Sequence, residues 1–159
     1  MARVPDQKPP RVRAGERETL QALLQYQRDS LVRKITGADE AAARQPAVGS
    51  GTTLLWLVKH MTRAEILWVA VRFAGQDVPV PDDAVHPGDT IPGAVGGYRA
   101  AWARADSIAR AANLDQPCRR LSGDPANLRW VLTHLLEETA RHAGHADILR
   151  ELIDGTTGR

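Results

Sequence analysis

Apolar residues recur at three- and four-residue steps over four stretches of the chain, and nowhere do they alternate strictly with polar ones. The first stretch covers about residues 16–36, with Leu20, Leu23, Leu24, Leu31 and Ile35 at helical spacing and Gly37 as its stop. Residues 39–44 add a single turn. The second stretch covers about residues 53–74; Ser50, Thr52 or Thr53 caps its start and Gly75 ends it. In the third, about residues 91–113, Ile91, Val95, Tyr98, Trp102, Ala105 and Ala109 fall on one face, while Gly93, Gly96 and Gly97 weaken its first turns. The fourth is expected to open with Asp124 as N-cap and Pro125 in its first turn, and to run to about Ile153 before Gly155.

Residues 1–13, rich in Pro and Arg, read as an N-terminal tail, and residues 14–159 as one domain. Four amphipathic segments of roughly 20 residues make an all-α fold, with an antiparallel-type four-helix bundle its simplest form. The segment Val78-Pro-Val-Pro81 is too broken by proline to be a strand. The links before the second and third helices are each about 16 residues, longer than most helix–helix connections, and suggest crossovers or site-lining loops.

Composition narrows the picture. A chain of 159 residues with Cys118 as its one cysteine forms no intrachain disulfide and carries no thiolate-rich zinc site. No apolar run reaches the ~18 residues of a membrane span, and the N-terminus lacks the apolar stretch of a secretory signal, so the expectation is a soluble, cytoplasmic domain. The formal charge is +2, from 21 basic and 19 acidic residues that are mostly interleaved. That pattern gives no support to nucleic-acid binding, which needs basic residues converging on one face.

The five histidines carry the chemistry. On a wheel of about 100° per residue, Leu128, Val131, Leu135, Ala146, Leu149 and Ile153 define the buried stripe of the fourth helix. His142 lies inside that stripe, Glu138 on its edge, and His145 and His134 slightly further round. A Glu is almost never buried alone, so Glu138 needs a cation, a proton or water. Glu138 and His142, one turn apart, have the i, i+4 geometry of helical metal ligands. On the second helix His60 shares a face with Leu57, Ala64, Leu67 and Val71 and so also points into the bundle. Three ligands of N and O type would leave a divalent, zinc-like ion an open position for water or substrate. Spacing alone also allows a buried Glu138–His142 pair without metal, and it does not choose between His60 and His134 as third ligand. Trp56, Trp68, Trp102 and Trp130 read mainly as core. Trp56, a turn before His60, is also a pocket candidate, as are His134 and His145. His86 is given no role. Cys118, whose pKa the neighbouring Arg119 and Arg120 would lower, reads as incidental.

At these residues the chain resembles a known family. The segment Leu54-Leu-Trp-Leu-Val-Lys-His60-Met-Thr-Arg-Ala-Glu65 resembles the second helix of the DinB-like (YfiT-like) metal-binding four-helix bundles, and Leu128 to Gly155, with Glu138, His142 and His145, their fourth. It is most similar to the branch that includes the N-terminal domain of mycothiol-dependent maleylpyruvate isomerase. Gly15 to Leu24 and Asp154 to Gly158 fit the same branch. The resemblance implies an up-down-down-up bundle with a long link between helices 2 and 3. It also implies His60, Glu138 and His142 as ligands of a divalent metal, zinc first, with nickel or another ion as alternatives. A metal-dependent transferase that activates a small-molecule thiol, namely mycothiol, toward an unidentified electrophile is the expected function. The chain is expected to lack the isomerase's further C-terminal domain, which argues against maleylpyruvate as that electrophile. A homodimer is implied at family level. The competing expectation is a non-catalytic, metal-binding or stress-associated DinB-like protein.

Overall fold

Three of the four helices begin where a side-chain oxygen accepts from a backbone N–H that has no partner within its helix. Thr53 accepts from Trp56 N at 3.0 Å, Thr90 from Gly93 N at 3.1 Å and Asn127 from Trp130 N at 3.0 Å. In this computed structural model, residues 7–123 and 125–157 are described. The helices are α1 (Glu16–Ile35), α2 (Leu54–Glu65), α3 (Ile91–Arg110) and α4 (Leu128–Asp154), and a 3₁₀ turn covers Ala42–Arg44. The start of α4 corrects the expectation from sequence. Pro125 lies outside the helix and Asn127 is its cap, while Asp124 lies outside the described residues. Pro117 and Asn127 pair in an isolated bridge, and Leu128 N and Arg129 N bond back to Gln116 O and Leu114 O. These bonds hold the incoming chain extended until Asn127. At the other end Gly155, at φ 72°, closes α4 in the left-handed conformation that glycine adopts without strain.

Ion pairs and caps between helices set their directions. Glu16 at the start of α1 pairs with Arg129 at the start of α4, and Lys34 at the end of α1 with Asp147 late in α4. These two helices are therefore parallel. Late in α4, Arg150 donates to the carbonyls of Lys34, Thr36 and Gly37 at 2.9, 3.1 and 3.2 Å, capping α1 from outside. Arg17, at the opposite end of α1, does the same for Ala109 and Ala112 at the end of α3, so α1 and α3 run antiparallel. His60 meets His142 while Trp68 meets Trp130, which makes the second and fourth helices antiparallel. Up-down-down-up connectivity follows. The bundle thus has two parallel pairs, α1 with α4 and α2 with α3, in the order that the resemblance implied.

The core draws on all four helices, with Leu24, Leu31 and Ile35 of α1, Leu55, Leu57 and Met61 of α2, Tyr98 and Ala109 of α3, and Leu128, Val131 and Leu135 of α4 buried together. Two departures from a simple amphipathic reading stand out. Arg28 and Glu65 are 1% and 0% exposed and face each other in a two-pronged ion pair, Nε to Oε1 at 2.7 Å and NH2 to Oε2 at 2.8 Å. Asp106 of α3 takes the remaining Arg28 prong at 2.8 Å. Burial opposes the Arg28 charge, but Glu65 and Asp106 together raise its pKa. For Glu65, burial raises the carboxyl pKa against the pull of Arg28.

The second departure begins at that glutamate. From Ile66 to Phe73 the helix continues as a π-helix. Its wider turn breaks the 100° wheel, so Val69, Ala70 and Phe73 are buried where the wheel had pointed Leu67 and Val71 inward. Carbonyls at its end are taken up by the segment after α3, with Arg119 N on Phe73 O at 3.1 Å and Arg120 N on Arg72 O at 2.9 Å.

Candidate metal centre

Two helices deliver the centre, α2 through His60 and α4 through Glu138 and His142. One potential ligand atom from each of the three lies within 4.8 Å of the others. Glu138 and His142 are side by side because one turn of α4 stacks them, Oε2 to Nε2 at 3.3 Å. An ion bonded to N and O at about 2.0–2.2 Å in a tetrahedron spaces its ligand atoms about 3.3–3.5 Å apart. The α4 pair already has that spacing, and His60 brings a donor atom within 4.8 Å of both. The residues therefore fit a divalent metal of borderline softness such as zinc.

The wheel pointed His60 and His142 into the bundle, but the structure sets the cluster at its edge. Side-chain exposure is 28% for His60 and 18% for Glu138, against 10% for His142. Solvent reaches the first two. Burial, and after it the neighbouring His60, push the His142 imidazole down to about 4 against the upward pull of Glu138. His142 is therefore neutral at physiological pH, as a nitrogen ligand must be.

Each of the three is oriented by a neighbour. His60 Nδ1 lies 2.9 Å from Asp83 Oδ2, which leaves Nε2 as the ring nitrogen outside that contact. Trp56 stacks on the His60 ring at 4.7 Å and 18°, as its place one turn earlier in α2 dictates. The His142 ring stands edge-on to both, 5.0 Å from His60 and 6.1 Å from Trp56. His142 Nδ1 meets His145 Nδ1 at 3.4 Å, and Arg141 holds Glu138 Oε1 at 2.6 Å. Trp56 and His145 thus adjoin the cluster.

His134 does not. It stacks on Trp130 at 4.9 Å and 14° and meets Trp68 edge-on at 4.6 Å, and among the described residues it makes no hydrogen bond to the three. Trp130 is 46% exposed, not core, and Trp56, Trp68 and Trp102 lie at the core's edge. Cys118 is not activated. Burial raises its thiol, and the opposing cation is Arg72, not Arg119 or Arg120. Asp83 is the functional residue that sequence reasoning missed. The signal was its place in the long link already suspected of lining a site, where Asp82 and Asp83 follow Pro81.

Fold and cluster together define a helical bundle with a three-ligand candidate centre open on one side. A family model described as mycothiol-S-transferase matches residues 19–155. The chain belongs to this DinB-like family. Among solved structures it is similar to a conserved protein from Enterococcus faecalis, at 16% identity and a TM-score of 0.66, over 90% of this chain and 99% of that one. At that identity the likeness is one of fold. No curated protein matches the sequence.

Proposed function

We propose that this protein is a metal-dependent thiol S-transferase, with His60, Glu138 and His142 holding a divalent ion, zinc first, and mycothiol as the thiol. One observation carries the reading: the family's chain places three N and O donor atoms within 4.8 Å of one another at a solvent-reachable edge. When bound, the ion supplies positive charge that lowers the pKa of a thiol, giving thiolate at neutral pH.

The protein's own contribution is preparation. Asp83 fixes the tautomer and direction of His60, and Trp56 shields one face of that ring from water. Burial keeps His142 unprotonated, so no proton has to leave it before ligation. Arg141 occupies one oxygen of Glu138 and leaves Oε2 directed toward His142. In the transfer itself the thiol gives up its proton to solvent, the sulfur–carbon bond forms at the electrophile, and the leaving group departs with the electron pair of the broken bond.

Metal content of purified protein, compared with His60→Ala and His142→Ala, tests the centre. One equivalent in wild type and at least tenfold less in either variant is the expected result; equal content in all three overturns the assignment. Consumption of mycothiol with monobromobimane tests the activity. Metal bound without any metal-dependent rate above the uncatalysed one would replace the transferase by a metal-binding protein without catalysis.

A further inference from the structure

We propose that a pocket beside the centre takes an alkyl or aryl group of the electrophile, and so selects apolar electrophiles. The proposal rests on the transferase reading above. The pocket lies between the α1–α2 link and the last turns of α4, lined by Val48, Ser50, Thr52, His145, Ile148 and Leu149. Its volume is about 190 Å³. An apolar cavity of about 150 Å³ accommodates a benzene ring, so the space suits a single ring or a chain of about six carbons and is too small for a peptide segment.

Three features point to an apolar occupant. Val48, Ile148 and Leu149 supply hydrocarbon, and the first two remain 38% and 58% exposed on a chain that buries most of its large aliphatic residues. The two hydroxyls of the lining bond to one another, Ser50 Oγ to Thr52 Oγ1 at 3.0 Å, which leaves one O–H between them for a guest. His145 engages its Nδ1 with His142, which leaves Nε2 as the one polar atom of its ring for a guest. A hydroxyl-rich thiol such as mycothiol would find few partners here, whereas an apolar group would gain from leaving water. Continuity with the chemistry comes through His145, which lines the pocket and meets His142 at 3.4 Å. A group seated there is held next to the reacting centre.

Linear alkyl hydroxamates test this, because the hydroxamate chelates metal and the tail reports on the space beside it. Zn²⁺-loaded protein is titrated calorimetrically with the series from acetohydroxamate to octanohydroxamate. Affinity is expected to rise about 3- to 4-fold per methylene and to level off near six carbons. Ile148→Asp is expected to abolish the gain while leaving acetohydroxamate within twofold of wild type. Leu152→Asp, equally exposed on α4 but outside the lining, is expected to keep it. If acetohydroxamate shows no zinc-dependent binding, the metal centre falls and this proposal falls with it. If acetohydroxamate binds but longer tails bring no gain, or the gain survives Ile148→Asp, the pocket assignment alone is overturned. Absence of a gain together with a wild-type dimer that Ile148→Asp makes monomeric would assign the face to a second copy of the chain.

Discussion

Removing one side of the Arg28–Glu65 pair is the sharpest probe of how this bundle is held. Both side chains are essentially inaccessible, and Arg28 is engaged at Nε and NH2 by Glu65 and at NH1 by Asp106. Glu65→Leu removes two of the three prongs and leaves a buried guanidinium with one carboxylate. Breaking a buried pair from one side costs about 3–5 kcal/mol. Asp106 persists and is 22% exposed, so water helps to solvate what remains and the lower end, about 3 kcal/mol, is expected. For a chain of this size each kcal/mol moves the melting temperature by about 2–4 °C, which gives a fall of about 6–12 °C. Arg28→Met combined with Glu65→Leu removes both charges and fills the space with hydrocarbon. It is expected to lie within about 1 kcal/mol of wild type, because Asp106 is free to turn to solvent. Urea unfolding followed by circular dichroism, with equal slopes for all variants, measures each difference. A Glu65→Leu cost below about 1 kcal/mol would refute the reasoning. So would a double variant as unstable as the single.

Two further outcomes follow from the same geometry. Asp83→Ala frees the His60 ring without touching a ligand, so Zn²⁺ affinity measured by competition with a chromogenic chelator should fall about 10- to 100-fold with the fold intact; unchanged affinity would show that Trp56 alone orients His60. His134 is held below the ordinary imidazole pKa by burial against Trp68 and Trp130. The unfolded chain therefore takes up a proton below about pH 6.5 that the folded chain resists. Stability falls as the pH drops below that point. His134→Phe, which keeps the stacking, should lose less stability between pH 7 and 5 in urea melts while the share due to His142 persists; an identical profile would contradict the assignment.

How much of this was legible in the sequence depends on the periodicity each residue obeys. The α4 stripe, the glycine that ends it and the side-by-side placement of Glu138 and His142 follow from 3.6 residues per turn, which α4 keeps from end to end. His60 was legible for the same reason, since it lies in the regular part of α2. Leu67 and Val71 were misplaced because the π-helix begins six residues after His60, and no glycine or proline announces it. The start of α4 was misplaced because a cap is a competition. Asp124-Pro125 has the right chemistry, but the bridge from Pro117 holds Asn127 extended, and the helix starts after it. Arg28 was visible and passed over: it lies four residues after Leu24 and three before Leu31, on the apolar stripe of α1. A charged residue on such a stripe demands a partner from another helix, and Glu65, four residues after buried Met61, is the acid on the facing stripe. That pairing is long-range, as is the contact of Asp83 with His60 across 23 residues. Helical periodicity says which way a side chain points, and partners that arrive from a loop or another helix become visible only once the chain is folded. The candidate ligands were readable because two of the three share one turn of one helix. Asp83, which aims the third, was not, because nothing in its own neighbourhood requires it.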